Sequence, residues 1–404
     1  MKRWKKIVLI LMALIVISQL PFAYRRYKLG RLHSAIDQLN SQRVVNPTDG
    51  NFVEYKGVIH VHSFLGGHST GTFEEIIAGA QANKLDFVVM TEHASSNFDT
   101  AAMTLSGTHG GVLFVNGNEI VTATQDRLLV LPGNDAMANA GNTPTTDVIN
   151  QAKAEGALVL VAYPQEFKSW NANGYDGAEV YNLFTNARRI NPVVMFFDGL
   201  WSYRSYPELL FANFFERPAQ NLKLWDDALV ASGRRLVATA GNDAHANVGI
   251  TLNDSSGRRL LGIKLDPYQR SFRLLRMHLL VPREKELSTE TLLAALADGH
   301  CFIAFDLFGD STGFSFSATN GSDSKIAGDE ITLSGATRLI VNTPLSSRIV
   351  LFRNGNAVQD RKGAITNEFE VSEKGIYRVE VYLPQLPKPV SEQPWIISNP
   401  IYVR

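Results

Sequence analysis

Beyond Asn51 the chain alternates short apolar runs with stretches whose apolar residues recur at helical spacing, the pattern of repeated βα units. The runs predict strands near Val58–His62, Phe87–Thr91, Val112–Asn116, Leu128–Leu131, Leu158–Ala162, Ala178–Tyr181 and Leu236–Ala240, most of them buried and parallel. Thr72 and Glu75 have capping-box spacing, so a helix is expected to start there with Ile76, Ile77 and Ala80 facing inward. Further helices are expected over Thr145–Ala154, Asn221–Ser232 and Ser288–Ala297. From about Asp306 the pattern changes to alternating strands with turn residues, including RIVLFRNGNAV, where Asn354-Gly355 signals a hairpin. The overall class is α/β, followed by a β-sandwich of roughly a hundred residues.

The N-terminus follows neither pattern. MKRWKK precedes an apolar run from Ile7 to Ala23, which has no polar face between Ile7 and Ile17 and is followed by Tyr24, Arg25, Arg26 and Lys28. As a helix this run extends about 25 Å, close to the thickness of a bilayer core. Pro21, Phe22 and Ala23 make a poor small-x-small cleavage site, so an uncleaved anchor is expected, with a signal peptide as the alternative. The folded part is then expected on the exported, periplasmic or extracellular side, although basic clusters flank both ends. The expected organisation is an anchor over 1–28, a linker over 29–50 containing Asn46, Pro47, Asp49 and Gly50, an α/β domain over 51–305 and a sandwich over 306–404.

Composition narrows the function classes. The 39 basic side chains cancel the 39 acidic ones, which argues against a general nucleic-acid binder; no nucleic-acid partner is expected. The single cysteine, Cys301, excludes an internal disulfide.

Five of the nine histidines fall in three segments attached to strand ends: VIHVHSFLGGHS, VVMTEHAS and ATAGNDAHAN. Alternation along a strand sends His60 and His62 to one face, and Gly66 and Gly67 give the loop freedom to return His68 toward them. Asp243 and His245 repeat the alternate-residue spacing, His93 follows the apolar strand DFVVM, and Glu119 closes VLFVNGNE with two oxygens able to bridge ions. Imidazoles and carboxylates converging from separate strand ends suit zinc, iron or manganese.

The motifs HVH, the nearby His68, TEH, GNE and GNDAH, in that order over roughly residues 55 to 250, resemble the polymerase-and-histidinol-phosphatase (PHP) superfamily of metal-dependent phosphoesterases. The later LSTETLLAALADGHCFIAF and the β-rich tail ending SNPIYVR resemble its carbaryl-hydrolase-type branch. The resemblance implies a distorted (β/α)7 barrel holding its ions at the C-terminal ends of the strands, with an immunoglobulin-like β-sandwich behind it. Carried over residue by residue, His60, His62, Glu119 and Asp243 would hold one ion, and His68, His93 and His245 a second. Members with a third ion supply histidines where this chain has Arg127 and Tyr163, neither a good neutral ligand, so two divalent ions are expected. Arg127 is then expected to stabilise an anionic substrate or a developing oxyanion, and Tyr163 to orient substrate or donate a proton.

The implied reaction is ester hydrolysis by a water that bridges the two ions and loses its proton near neutral pH. A phosphate ester, small or lipid-like, is the favoured substrate. A carboxylic ester or carbamate is the alternative, and a non-catalytic, membrane-tethered binding module is the third reading. Two other segments invite attention: WSYRSYPELLFANFF reads as buried packing or a membrane-facing lid, and DPYQRSFRLLRMH as solvated helix charge or a phosphate surface.

Overall fold

The apolar runs become strands in the computed structural model, which describes residues 3–44, 50–183, 191–253, 259–321 and 323–404. They span Phe52–Val61, Phe87–Met90, Val112–Val115, Arg127–Leu131, Leu158–Ala162, Gly177–Asn182 and Val237–Ala244. Two of these continue beyond a break as short strands, Glu92–His93 and Asn118–Val121, which pair in parallel and set His93 opposite Glu119.

The pairing runs from strand to strand and returns to its start. Phe52–Val61 lies parallel to both Val237–Ala244 and Phe87–Met90, which pairs in parallel with Val112–Val115. From Asn118–Val121 it passes through Arg127–Leu131, Leu158–Ala162 and Gly177–Asn182 back to Val237–Ala244. Arg127–Leu131 departs from the expected parallel order, being antiparallel to both neighbours. The cause is the connection Thr122–Asp126, a tight turn closed by Thr122 N–H to Asp126 O at 2.9 Å and far too short for a parallel crossover.

Helices form where capping chemistry and periodicity agree. Phe73–Ala82 has both bonds of its capping box, Glu75 N to Thr72 Oγ1 at 3.3 Å and Thr72 N to Glu75 Oε2 at 3.1 Å, and buries Ile76 and Ala80. Thr145–Ala154 matches its expected span, Thr289–Ala297 is capped by Ser288, and Ala219–Ser232 ends at Gly233 with φ 64°. Together these give a mixed α/β fold.

Hydrogen bonding continues without a break into the C-terminal strands. Cys301–Ala304 pairs with Arg276–Pro282 on one side and Pro394–Ser398 on the other. Arg338–Arg353 and Asn356–Glu370 form the expected hairpin, with Asn354 and Gly355 at φ 48° and 79°. The buried Arg378 reaches across to helix Ala219–Ser232, donating to both oxygens of Asp226 at 2.9 and 2.8 Å.

The N-terminal helix runs from Arg3 to Asn40. Its apolar part has a mean hydropathy of 2.4 over an 18-residue window, and none of that window is buried against the protein. The start of the expected linker is instead helical, because Leu29, Leu32, Ile36 and Leu39 recur at three- and four-residue spacing and bury against the core. Of the other expected linker residues, Asn46, Pro47 and Asp49 lie outside the described residues.

Candidate metal centre

His60 and His62 converge, but not by flat alternation. The strand bulges between Ile59 and Val61, and His60 takes φ 66°. Both Nε2 atoms then lie 3.3 Å from Glu119 Oε2, and 3.6 and 3.5 Å from Asp243 Oδ1. Asp243 at φ 46° and Tyr163 at φ 51° share the left-handed conformation, so three strained residues meet at one place.

His93 Nδ1 stands 3.5 Å from the same Glu119 oxygen. The imidazole of His245 stacks on His62 with ring centroids 4.4 Å apart, and His62 stacks on His93 at 4.7 Å. His68 closes the array from the solvent side, 4.4 Å from the His245 ring, with its Nε2 3.4 Å from His93 Nε2. Two sets of ligand atoms lie within 4.8 Å of one another: His60, His62, Glu119 and Asp243, and His62, His93 and His245. The structure thus brings all seven expected ligand residues together, with His62 in both sets and His68 at the edge of the second.

Several positioning residues carried no sequence signal. Glu179 Oε2 accepts from His60 Nδ1 at 2.6 Å and is itself held by Asn182 Nδ2 at 2.7 Å. Gly241 is required beside it, since a Cβ there would come within 1.9 Å of Glu179 Oε2 and 2.8 Å of His60 Cβ. Glu92 accepts both Ser63 N–H, at 3.1 and 3.0 Å, and Thr104 Oγ1 at 2.8 Å, fixing the start of the loop that carries His68. Ser69 Oγ donates to His245 O at 2.6 Å, tying that loop to the Asp243–His245 segment, and Tyr268 OH donates to His62 O at 2.5 Å from the helix Tyr268–Leu274.

Charge is distributed unevenly. Burial opposes a proton on His60, but Glu179, Asp243 and Glu119 outweigh it and raise its pKa well above the usual range. For His62 burial is likewise overcome, by Asp243 and Glu119, and the value rises to about 9. Burial, with help from neighbouring imidazoles and against the pull of Glu119, lowers His93 to about 4. Burial and His62 lower His245 to about 3. Glu119 and Asp243 are lowered despite their burial, chiefly by His60 and His62.

Arg127 and Tyr163 border the cluster. Arg127 Nη1 approaches Glu119 Oε1 at 3.3 Å, and its guanidinium lies 5.3 Å from the Tyr163 ring centre. Tyr163 OH donates to Asp243 Oδ2 at 2.7 Å. Burial, then Asp243 and Glu119, push its pKa far up, so the phenol keeps its proton. In the segment DPYQRSFRLLRMH each arginine has a partner: Arg270 bonds Tyr203, Arg273 bonds Glu208 on the surface and Arg276 bonds Asp306, while His278 is buried. His33, His109 and His300 bond Asp37, Ser106 O and Asp329, away from the cluster.

No family profile matches the chain, and no curated protein matches it. Among solved structures it is similar to a two-domain protein containing a predicted PHP-like metal-dependent phosphoesterase from Bacteroides vulgatus ATCC 8482. That match has 13% identity over 89% of this chain and 98% of the other, at a TM-score of 0.40. It is also similar to PsfC from Pseudomonas syringae PB-5123 (11% identity, 60% of this chain, 89% of that one, TM-score 0.37). The lesion-specific endonuclease PfuEndoQ from Pyrococcus furiosus matches with 12% identity over 68% of this chain and 64% of its own, at a TM-score of 0.38. Likenesses this distant bear no functional weight, and the reading rests on the cluster itself.

The cluster fits divalent cations. His62 Nε2 and Asp243 Oδ1 are buried without a hydrogen-bond partner, a costly state for polar atoms that coordination relieves. The donor set of neutral imidazoles and carboxylates is one that zinc, manganese and iron accept. His60, His62, Glu119 and Asp243 are the residues that would hold such a cation, and its binding would compete with the protons that the two histidines otherwise keep.

Proposed function

We propose that this chain is a metal-dependent phosphoesterase of the PHP superfamily, tethered to a membrane by its N-terminal helix. The observation that carries the reading is the position of Glu119: one oxygen lies within 3.5 Å of three histidines while the other faces Arg127. That arrangement, a two-oxygen carboxylate between a ligand cluster and a fixed positive charge, supports a role for Glu119 as a carboxylate that would be shared between ions. The closed circuit of strand pairings is compatible with the distorted (β/α)7 barrel of that superfamily, and the C-terminal strands with an immunoglobulin-like sandwich. The domain limits 51–305 and 306–404, and the exported location of both, belong to the same proposal.

In this reading His60, His62, Glu119 and Asp243 hold one ion, and His93 and His245 with His68 hold a second, each being zinc, manganese or iron. When bound, such ions supply Lewis acidity and a water acidic enough to attack near neutral pH. Arg127 binds the anionic ester and offsets the charge that develops on it in the transition state. Tyr163, kept protonated by its surroundings, donates its hydrogen bond to Asp243 and so orients that carboxylate, which supports a positioning role. Glu179 and Asn182 fix the His60 ring and its tautomer.

The substrate class is a phosphate ester of small-molecule or lipid-like character. The carbaryl-hydrolase-type branch rests on the tail motifs alone and implies a carboxylic ester or carbamate instead. Net neutrality argues only against general nucleic-acid binding and does not bar a phosphodiester substrate.

Elemental mass spectrometry on the purified chain, paired with hydrolysis of phosphate mono- and diester, carboxyl ester, carbamate and oligonucleotide probes before and after chelation, tests the reading. About two transition-metal ions per chain and chelator-sensitive phosphate-ester turnover are expected. Turnover confined to carboxyl esters or carbamates overturns the phosphate assignment. Folded, metal-free, inactive protein after metal-replete expression leaves the binding-module reading.

A further inference from the structure

The helix Pro192–Ser202 carries an exposed apolar face that the rest of the described protein leaves uncovered. Val193, Phe196 and Leu200 recur at three- and four-residue spacing and are 62%, 55% and 68% exposed. Three large apolar side chains aligned on one short helix are an unusual surface for a solvated element.

Its other side is docked on the N-terminal helix, at the end of the apolar run. Phe197 packs on Phe22 with ring centroids 4.9 Å apart, and Trp201 Nε1 donates to Gln19 Oε1 at 3.0 Å. Arg25 Nε contacts both oxygens of Asp198 at 2.8 Å. Arg26 bonds Trp201 O and, at 3.0 Å, Ser205 Oγ. Asp198, the only acid on the short helix, is therefore buried and paired, and the exposed face carries no charge.

We propose that Pro192–Ser202 is an interfacial membrane helix, with Val193, Phe196 and Leu200 seated in the acyl layer beside the N-terminal span. The occupant follows from continuity: the helix is fixed at Gln19–Arg26, where a span over Ile7–Ala23 leaves the hydrocarbon. The exposed Tyr24, Tyr27 and Trp201 suit the aromatic belt at that depth, and the exposed Lys28 and Arg204 suit anionic headgroups, while Arg25 and Arg26 hold the short helix in place. With 11 residues the helix is too short to cross the bilayer and suits lying along its surface. The proposal rests on reading Ile7–Ala23 as a retained membrane span.

The test uses the full chain in vesicles of phosphatidylcholine and phosphatidylglycerol, with an environment-sensitive fluorophore on single introduced cysteines. Phe196→Cys and Leu200→Cys probe the face, Ile15→Cys the span, and Val358→Cys an exposed site on the C-terminal hairpin; the native Cys301 is buried and escapes labelling. Lipids carrying a nitroxide at shallow or deep acyl positions serve as quenchers. The labels at 196 and 200 are expected to be quenched most by the shallow nitroxide, the label at 15 by the deep one, and the label at 358 by neither. Quenching at 15 without quenching at 196 and 200 overturns the proposal while leaving the span intact. Absence of quenching at 15 overturns the span, and the proposal with it.

Discussion

Arg127 Nη1 stands 3.3 Å from Glu119 Oε1, on the oxygen that the histidines leave free. A guanidinium there retains its charge at any working pH and meets an anionic substrate beside the ligand cluster. Arg127→Gln is expected to lower kcat/KM for a phosphate ester by about 10²- to 10³-fold, the usual cost of losing one transition-state donor. Metal content should be unchanged, and any activity on a neutral carboxyl ester should fall less. Steady-state kinetics with both probes, alongside metal analysis, decides it; an equal fall on both substrates argues that Arg127 only holds Glu119.

Glu179 acts through His60, at 2.6 Å from its Nδ1. Glu179→Gln keeps the side-chain volume but removes the carboxylate that orients the ring and raises its basicity. Metal affinity is expected to weaken by about 10- to 100-fold, read by competition with a chromophoric chelator. Glu179→Asp, which restores a carboxylate at a shorter reach, should recover part of that loss. Unchanged affinity in the glutamine variant would remove Glu179 from the site.

How much of this was legible in the sequence depends on what each residue's neighbours reveal. Strands such as Phe87–Met90 were legible because a buried parallel strand is a continuous apolar run, and helix Phe73–Ala82 because Thr72 and Glu75 cap it locally. His60 and His62 were legible as a pair, but the bulge that aims them was not, since nothing in VIHVH encodes φ 66° at His60. Glu179 sits in AEVY, where an isolated acid in a strand has no local signature; its partner lies 119 residues away. The antiparallel course of Arg127–Leu131 was hidden too, because apolar patterning reports burial and not direction.

His278 sits away from the metal cluster, in a buried set of ionisable groups whose titration bears on stability. Its Nδ1 is 2.6 Å from Glu54 Oε1, and its Nε2 is 3.2 Å from Asp306 Oδ2 and 3.1 Å from Ser311 Oγ. Burial opposes the charge, but Asp306 and Glu54 raise its pKa from 6.5 to about 9. Asp306 is lowered despite burial, mainly by His278 and Arg276. A raised folded-state pKa means that the His278 contribution is complete below about pH 6.5 and is lost as pH rises through about 9. The Asp306 contribution has the opposite sign, being present above its unfolded value of 3.8 and lost as pH falls further. Urea unfolding in chelator should therefore show an alkaline decline that His278→Gln flattens. An identical pH slope in the variant would sink the assignment.

Asp243 allows the metal reading to be tested without activity. Its Oδ1 is buried without a hydrogen bond, while Oδ2 accepts from Tyr163 at 2.7 Å and Asn182 at 3.2 Å. Its φ of 46° is one that asparagine adopts as readily as aspartate, so Asp243→Asn adds no backbone strain. An amide in this position turns an N–H toward the histidines or toward Tyr163 and no longer supplies an anionic ligand. For the unaltered chain, a cation at 100 times its Kd should add about 2.7 kcal/mol of stability. That gain is expected as a rise in Tm on adding zinc or manganese, reversed by chelator. In Asp243→Asn most of the rise should vanish, while the chelated protein still unfolds cooperatively, at a temperature lowered by the loss of the carboxylate beside His60 and His62. A rise of the same size in both proteins would mean that the stabilising cation binds elsewhere, and the cluster would lose its standing as the metal centre.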